Sequence, residues 1–193
     1  NGLSFRPIAN SEPHMTIPAS QLLRSLWNIK SGTGFRPQLI VDIGACSGTA
    51  GLYGLFTEPE PAYLLIEPLA EFNPKLTNFM KDRRHRIINA CLSDRPGMAT
   101  FKIDPEKKDS SHLVLDCDTA TTTSRTIAIP VTTLDMVVNE FAPELGPQPC
   151  DIVVKIDVQG AEPKVIDGGL KTLATHNAVI IVEVGTARPD AVM

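Results

Sequence analysis

The stretch Leu39–Gly54, LIVDIGACSGTAGLYG, decides the fold. It opens as an apolar run without polar alternation, the pattern of a strand covered on both faces. An acid, Asp42, falls at the end of the run. Small residues follow, which marks a tight turn leading into a helix.

The same rhythm returns on either side. ASQLLRSLWNIKSG (19–32) sets Leu22, Leu23, Leu26 and Trp27 on one face of a short amphipathic helix ending near Gly32. AYLLIEP (62–68) reads as a second buried strand stopped by Pro68, EFNPKLTNFMKDRR (71–84) as a second helix, and RIINACLSD (86–94) as a third strand. GMATFKID (97–104) and RTIAIPVTTLD (125–135) read as strands around a polar stretch rich in Ser, Thr and Asp, a β-rich insertion. TLDMVVNEFAP (133–143) is a helix and CDIVVKIDVQG (150–160) a fourth core strand. AEPKVIDGGLKTLAT (161–175) is a helix broken near Gly168 and Gly169, and NAVIIVEVG (177–185) a fifth strand. Repeated strand–helix units predict an α/β fold, a doubly wound, mainly parallel Rossmann-like sheet. The insertion falls between its third and fourth core strands. Residues 1–36 are expected to form an N-terminal arm and helix, and residues 37–193 the main domain.

Composition narrows the function classes. The 193 residues carry 42% hydrophobic and 21% charged side chains, ordinary for a globular protein. A net charge of −4 gives no footprint for nucleic acid. The basic cluster KDRRHR (81–86) is expected to cap a helix C-terminus. Four dispersed cysteines, with no CxxC pair, suggest neither zinc nor a disulfide framework and favour the cytoplasm. No membrane span or signal peptide is visible, although the chain begins with Asn rather than Met.

In such sheets a ligand lies beyond the carboxyl ends of the strands, where the strand order reverses. The turn after Asp42 is neither a dinucleotide fingerprint nor a P-loop, since Cys46 interrupts the glycines and Thr49 follows Gly48. An acid at the end of a buried strand needs a partner. Asp42 suits a ligand with a cationic amino-acid end, and Gly44 and Gly48 let the backbone approach it. This favours S-adenosylmethionine over a dinucleotide; the bland alternative is a tight turn with Asp42 capping the helix. Glu67, 19 positions past Gly48, is placed to accept from ribose hydroxyls. Asp94 is placed to accept from an adenine amino group, with Cys91 and Leu92 near the ring, or else simply starts a turn.

Taken in order, VDIGACSG, LLIEP, NACLSDRPGMATF, VTTLD, VVKIDVQGAEPKVIDGG and IIVEV resemble the FkbM family of S-adenosylmethionine-dependent methyltransferases, over roughly Leu39 to Gly185. The resemblance implies a class I methyltransferase sheet and O-methylation of hydroxyls on sugars or other small molecules. It also implies that Asp42, Gly44, Ala45, Cys46 and Gly48 line the methionine end of the cofactor, Glu67 the ribose and Asp94 the adenine. Lys155 and Asp157 would then lie beside the transferring methyl. Cys46 stands where the family more often has Asn or Gly. The strand pair that usually ends such sheets is not found after Glu183, which reads either as a C-terminal truncation or as a degenerate domain.

Methyl transfer asks the protein for alignment, and a hydroxyl acceptor also needs a base. Asp157 is the first candidate for base or acceptor positioning. Lys155, on the same strand face, is a candidate for holding an acidic acceptor or a developing oxyanion. A salt bridge between the two is the structural alternative. Glu162, early in a helix, is a weaker catalytic candidate, because the dipole favours a carboxylate there in any case. Asp157, Glu162 and Glu183 are oxygen donors suited to Mg²⁺, but no spacing requires a metal and none is expected. His112 is the one histidine of interest, in an insertion able to recognise the acceptor. Two competing readings remain, an NAD-dependent oxidoreductase and a cofactor-binding or interaction domain without catalysis. The acceptor and the oligomeric state are not legible in the sequence.

Overall fold

The computed structural model describes residues 3–4, 16–17, 21–103, 112–113 and 125–183. Strands β1 (Leu3–Ser4) and β2 (Thr16–Ile17) pair antiparallel ahead of helix α1 (Gln21–Thr33). The chain then enters strand β3 (Leu39–Ile43), helix α2 (Ala50–Tyr53) and strand β4 (Ala62–Ile66). A 3-10 turn over Ala70–Phe72 leads into helix α3 (Asn73–Phe79) and strand β5 (His85–Ile88). Every residue of β3 and β4 is buried, as their unbroken apolar runs require.

The expected third strand is divided. After β5 the chain turns at Asn89, whose side-chain amide donates to the Glu67 carbonyl at 2.8 Å and exchanges two hydrogen bonds with Asn73. Cys91–Leu92 then form strand β6 of a different sheet. Strands β7 (Gly97–Ile103), β8 (His112–Leu113) and β9 (Arg125–Thr132) complete that four-stranded sheet in the order β6-β9-β7-β8. The rest of the polar stretch from 104 to 124, and the His112 side chain, lie outside what is described.

Helix α4 (Leu134–Phe141) returns the chain to strand β10 (Asp151–Ile156). Helices α5 (Glu162–Asp167) and α6 (Leu170–Thr175) then precede strand β11 (Asn177–Val182). The main sheet runs β11-β10-β3-β4-β5, and all four pairings are parallel. The strand order reverses between β3 and β10.

Alternation along the strands builds one apolar layer on each face. Ile40, Tyr63, Leu65 and Val153 face Leu26 of α1, Leu52 and Tyr53 of α2, Leu76 of α3, and Phe101 and Ile129 of the second sheet. Leu39, Val41, Leu64 and Val154 face Val137, Val138 and Phe141 of α4 and Val165 of α5. Each fully buried aliphatic side chain contributes about 1.5–3 kcal/mol relative to exposure.

Three elements differ from expectation. The helix read from SGTAGLYGLF shrinks to a single turn, because Gly51 and Gly54 are poor helix formers while Leu55 and Phe56 drop into the core. The basic cluster does not cap α3. Arg83 pairs with Glu60 at 3.2 Å, and Arg86 pairs with Glu140 and Glu144 at 2.9 and 2.6 Å, tying the sheet edge to the α4 region. The helix over 161–175 is divided at the two glycines for a packing reason. A Cβ on Gly168 would lie 2.0 Å from the Ser93 carbonyl oxygen, and one on Gly169 2.5 Å from Leu134. Among the described residues no helix is long and apolar enough to cross a membrane.

Candidate active site

The carboxyl ends of β3 and β10 carry the first polar group of the site. Asp42 and Lys155 are register partners on these neighbouring strands. Asp42 is 0% exposed and Lys155 8%. Lys155 Nζ lies 3.1 Å from Asp42 Oδ1 and 3.5 Å from Asp157 Oδ2, and it donates to the Gly44 carbonyl at 3.0 Å. The geometry at Oδ1 is that of an ion pair rather than an aligned hydrogen bond. Asp42 Oδ2 accepts from Thr49 Oγ1 at 2.8 Å and from the Tyr53 hydroxyl. Burial alone would lower the Lys155 pKa, but the Asp42 and Asp157 carboxylates outweigh it and hold the ammonium above its ordinary value. Burial, then the Asp42 charge, raises Tyr53 far above the usual tyrosine range.

The turn after β3 lies against the turn after β10. Gly44 has φ +75°, and a Cβ there would sit 1.9 Å from the Asp157 carbonyl oxygen. Only glycine meets both conditions. The Gly44 and Ala45 amides donate to the Ile66 carbonyl at 3.0 and 3.1 Å, and the Cys46 amide donates to Glu67 Oε2 at 2.9 Å. Cys46 itself has φ +46°, a left-handed conformation that Asn and Gly adopt more readily. That is the physical reason these residues suit the position.

A cleft partly open to solvent lies beyond these strand ends. Phe72, Ala90, Leu92 and Phe101 give it an apolar wall, with Glu67 and Asp157 as its carboxylates. Both Glu67 oxygens accept from backbone, Oε1 from Leu69 and Oε2 from Cys46, each at 2.9 Å. Each oxygen retains capacity for a further donor. Burial raises the Glu67 pKa against these two amides and Lys155. Burial and the Glu67 charge push the Cys91 thiol up to about 12, so it stays a neutral part of the wall.

A family model for the methyltransferase FkbM domain matches residues 42–192, most of the chain. The chain belongs to the FkbM methyltransferase family. No curated protein and no solved structure matches it. Membership makes this a methyltransferase domain, which takes a methyl group from a donor to an acceptor.

Within the FkbM domain, the residues singled out in the sequence fall into two groups. Gly44, Cys46, Glu67, Cys91, Leu92 and Asp157 line the cleft together. Asp42, Ala45, Gly48, Lys155 and Glu162 are not on its wall. Asp42 is wholly buried and Lys155 nearly so, Ala45 is 3% exposed in the core, and Gly48 faces Tyr53, Leu76 and Phe79. Glu162 folds back on the turn before α5, accepting from Val158 N at 3.3 Å and Gly160 N at 3.0 Å. Asp94 departs furthest from its expected place. Its exposed side chain accepts from Ser93 Oγ at 3.0 Å and lies 3.5 Å from Arg95, away from the wall. Sequence reading passed over Tyr53, Phe72, Phe101 and Gln159. Only the turn signal of Gly160 beside Gln159 was available to find the last of these.

Proposed function

We propose that this FkbM domain is an S-adenosylmethionine-dependent O-methyltransferase acting on a hydroxyl of a small molecule or sugar. The observation that carries the reading is the cleft at the reversal of strand order, bounded by the glycine turn after β3, the Glu67 carboxylate and Asp157. The parallel order of the five strands supports a class I methyltransferase core.

The residues present fit an adenosyl cofactor. The absent side chain at Gly44 lets its turn close on Asp157, and the apolar wall suits a purine face. Glu67 would accept from the ribose hydroxyls, and Asp157 would face the positively charged methionine end. Phe72, Leu92 and Phe101 would hold the adenine ring, a role in which Phe101 replaces the exposed Asp94. When bound, the cofactor supplies an electrophilic methyl group on a sulfonium.

What the chain supplies is alignment and proton removal. Lys155 fixes the Gly44 carbonyl and the two aspartates, so the floor of the site is set before any ligand arrives. Asp157, at the cleft wall, is the carboxylate available to take the hydroxyl proton as the new C–O bond forms. Asp42 and Lys155 act as positioning residues, because neither reaches the cleft.

Calorimetric titration of the chain with S-adenosylmethionine, S-adenosylhomocysteine and NAD⁺ tests this. Binding of both adenosyl ligands, lost in Glu67→Ala, is the expected result. Binding of NAD⁺ in their place would overturn it.

A further inference from the structure

The turn between β10 and α5 holds a feature that the cofactor reading leaves unused. Gln159 has φ +56°, although it carries a long side chain, and Gly160 beside it has φ +107°. Such a conformation costs energy for any residue with a Cβ and persists only when its surroundings hold it. Glu162 supplies the hold, since its Oε1 accepts from Val158 N and Gly160 N and its Oε2 accepts from Gly160 N at 3.0 Å. The turn points Asp157, Val158 and Gln159 at the cleft.

The Gln159 side chain bends back on its neighbour. Its Nε2 donates to Asp157 Oδ1 at 3.2 Å, while Lys155 Nζ stands 3.5 Å from Asp157 Oδ2. One donor therefore grips each oxygen of the carboxylate. An aspartate held by Lys155 alone would be free to rotate its second oxygen; the amide removes that freedom.

We propose that Gln159 is a positioning residue that fixes the Asp157 carboxylate toward the cationic, methionine end of the cofactor. This rests on the adenosyl-cofactor reading above. The left-handed backbone at 159 is what brings the amide within reach of Asp157, so the strain and the hydrogen bond belong to one device. Gln159 acts through Asp157, and its contribution vanishes when that carboxylate is removed.

A double-mutant cycle on the full chain tests it, with S-adenosylhomocysteine as the probe and thermal melting as the control. Gln159→Asn keeps a residue tolerant of positive φ but shortens the amide by one methylene. It is expected to weaken binding about fivefold with a melting temperature no lower than the wild type's. Asp157→Ala weakens binding about tenfold, and adding Gln159→Asn to it costs nothing further. Independent, multiplying losses in the double variant would overturn the proposal, as would a Gln159→Asn chain that binds like wild type. Absence of binding by the folded wild-type chain would overturn the cofactor reading and this one together.

Discussion

Asp42 and Lys155 face each other across adjacent parallel strands, their charges 3.1 Å apart and almost wholly removed from water. Removing one partner of such a pair strands the other, at a cost of about 3–5 kcal/mol. Lys155→Met is therefore expected to lower the unfolding free energy by that order, and Asp42→Asn in the same chain to restore part of it. Because the folded Lys155 pKa is raised above 10.5, its contribution is full below that pH. It is lost as pH rises through the folded value. Chemical denaturation across alkaline pH should show wild type and Lys155→Met converging above pH 10.5.

Glu67 gives the opposite profile. Burial raises its pKa in the folded chain above 4.5, so the folded state holds this proton more tightly than the unfolded one. Stability then falls as pH rises through the interval between 4.5 and the folded value. On the proposed ribose role, the ionised carboxylate is the stronger acceptor, so affinity for S-adenosylhomocysteine is expected to rise as pH rises through the folded value. Glu67→Gln should flatten both trends, measured by denaturation and calorimetry at matched pH.

Cys46 is held at φ +46° without the side chain best suited to it. Cys46→Asn is expected to stabilise the fold by about 1 kcal/mol, by easing the left-handed backbone. Its amide would still donate to Glu67, so the turn should keep its shape. Thermal melting reads the gain; a lower melting temperature would contradict it.

Phe101 reaches the cleft from the second sheet. Phe101→Ala should weaken S-adenosylhomocysteine binding by about tenfold or more, as expected for loss of an aromatic wall against a purine. Asp94→Ala, in contrast, should change it less than about twofold by calorimetry, since that side chain is turned toward Ser93 and Arg95.

The parallel core was legible because its strands are unbroken apolar runs; LIVDI and AYLLI were read within a residue or two, whereas the strand read over 150–160 ends four residues earlier, at Ile156. The division of RIINACLSD was not, because an apolar run does not reveal which sheet accepts each part of it. The break falls at Asn89, whose partner Asn73 lies sixteen residues away in sequence. Asp42 and Lys155 stood out as charges in buried strands. Their register as mutual partners, however, depends on the crossover that sets β10 beside β3. Nor does composition distinguish Asp94, which lies at the surface, from Asp157, which lies at the cleft; both simply follow strands. Phe101 was hidden because the fold of the second sheet, not its local pattern, turns that residue inward.

The close approach of Gly44 to the Asp157 carbonyl means that the turn after β3 and the turn after β10 are one piece of masonry. Neither turn can be reshaped without disturbing the other. Retuning of the cofactor's grip would therefore fall to the second sheet, which lends the cleft Phe101 from outside that joint. A designer retuning the grip on the cofactor would leave the floor alone and rebuild the wall.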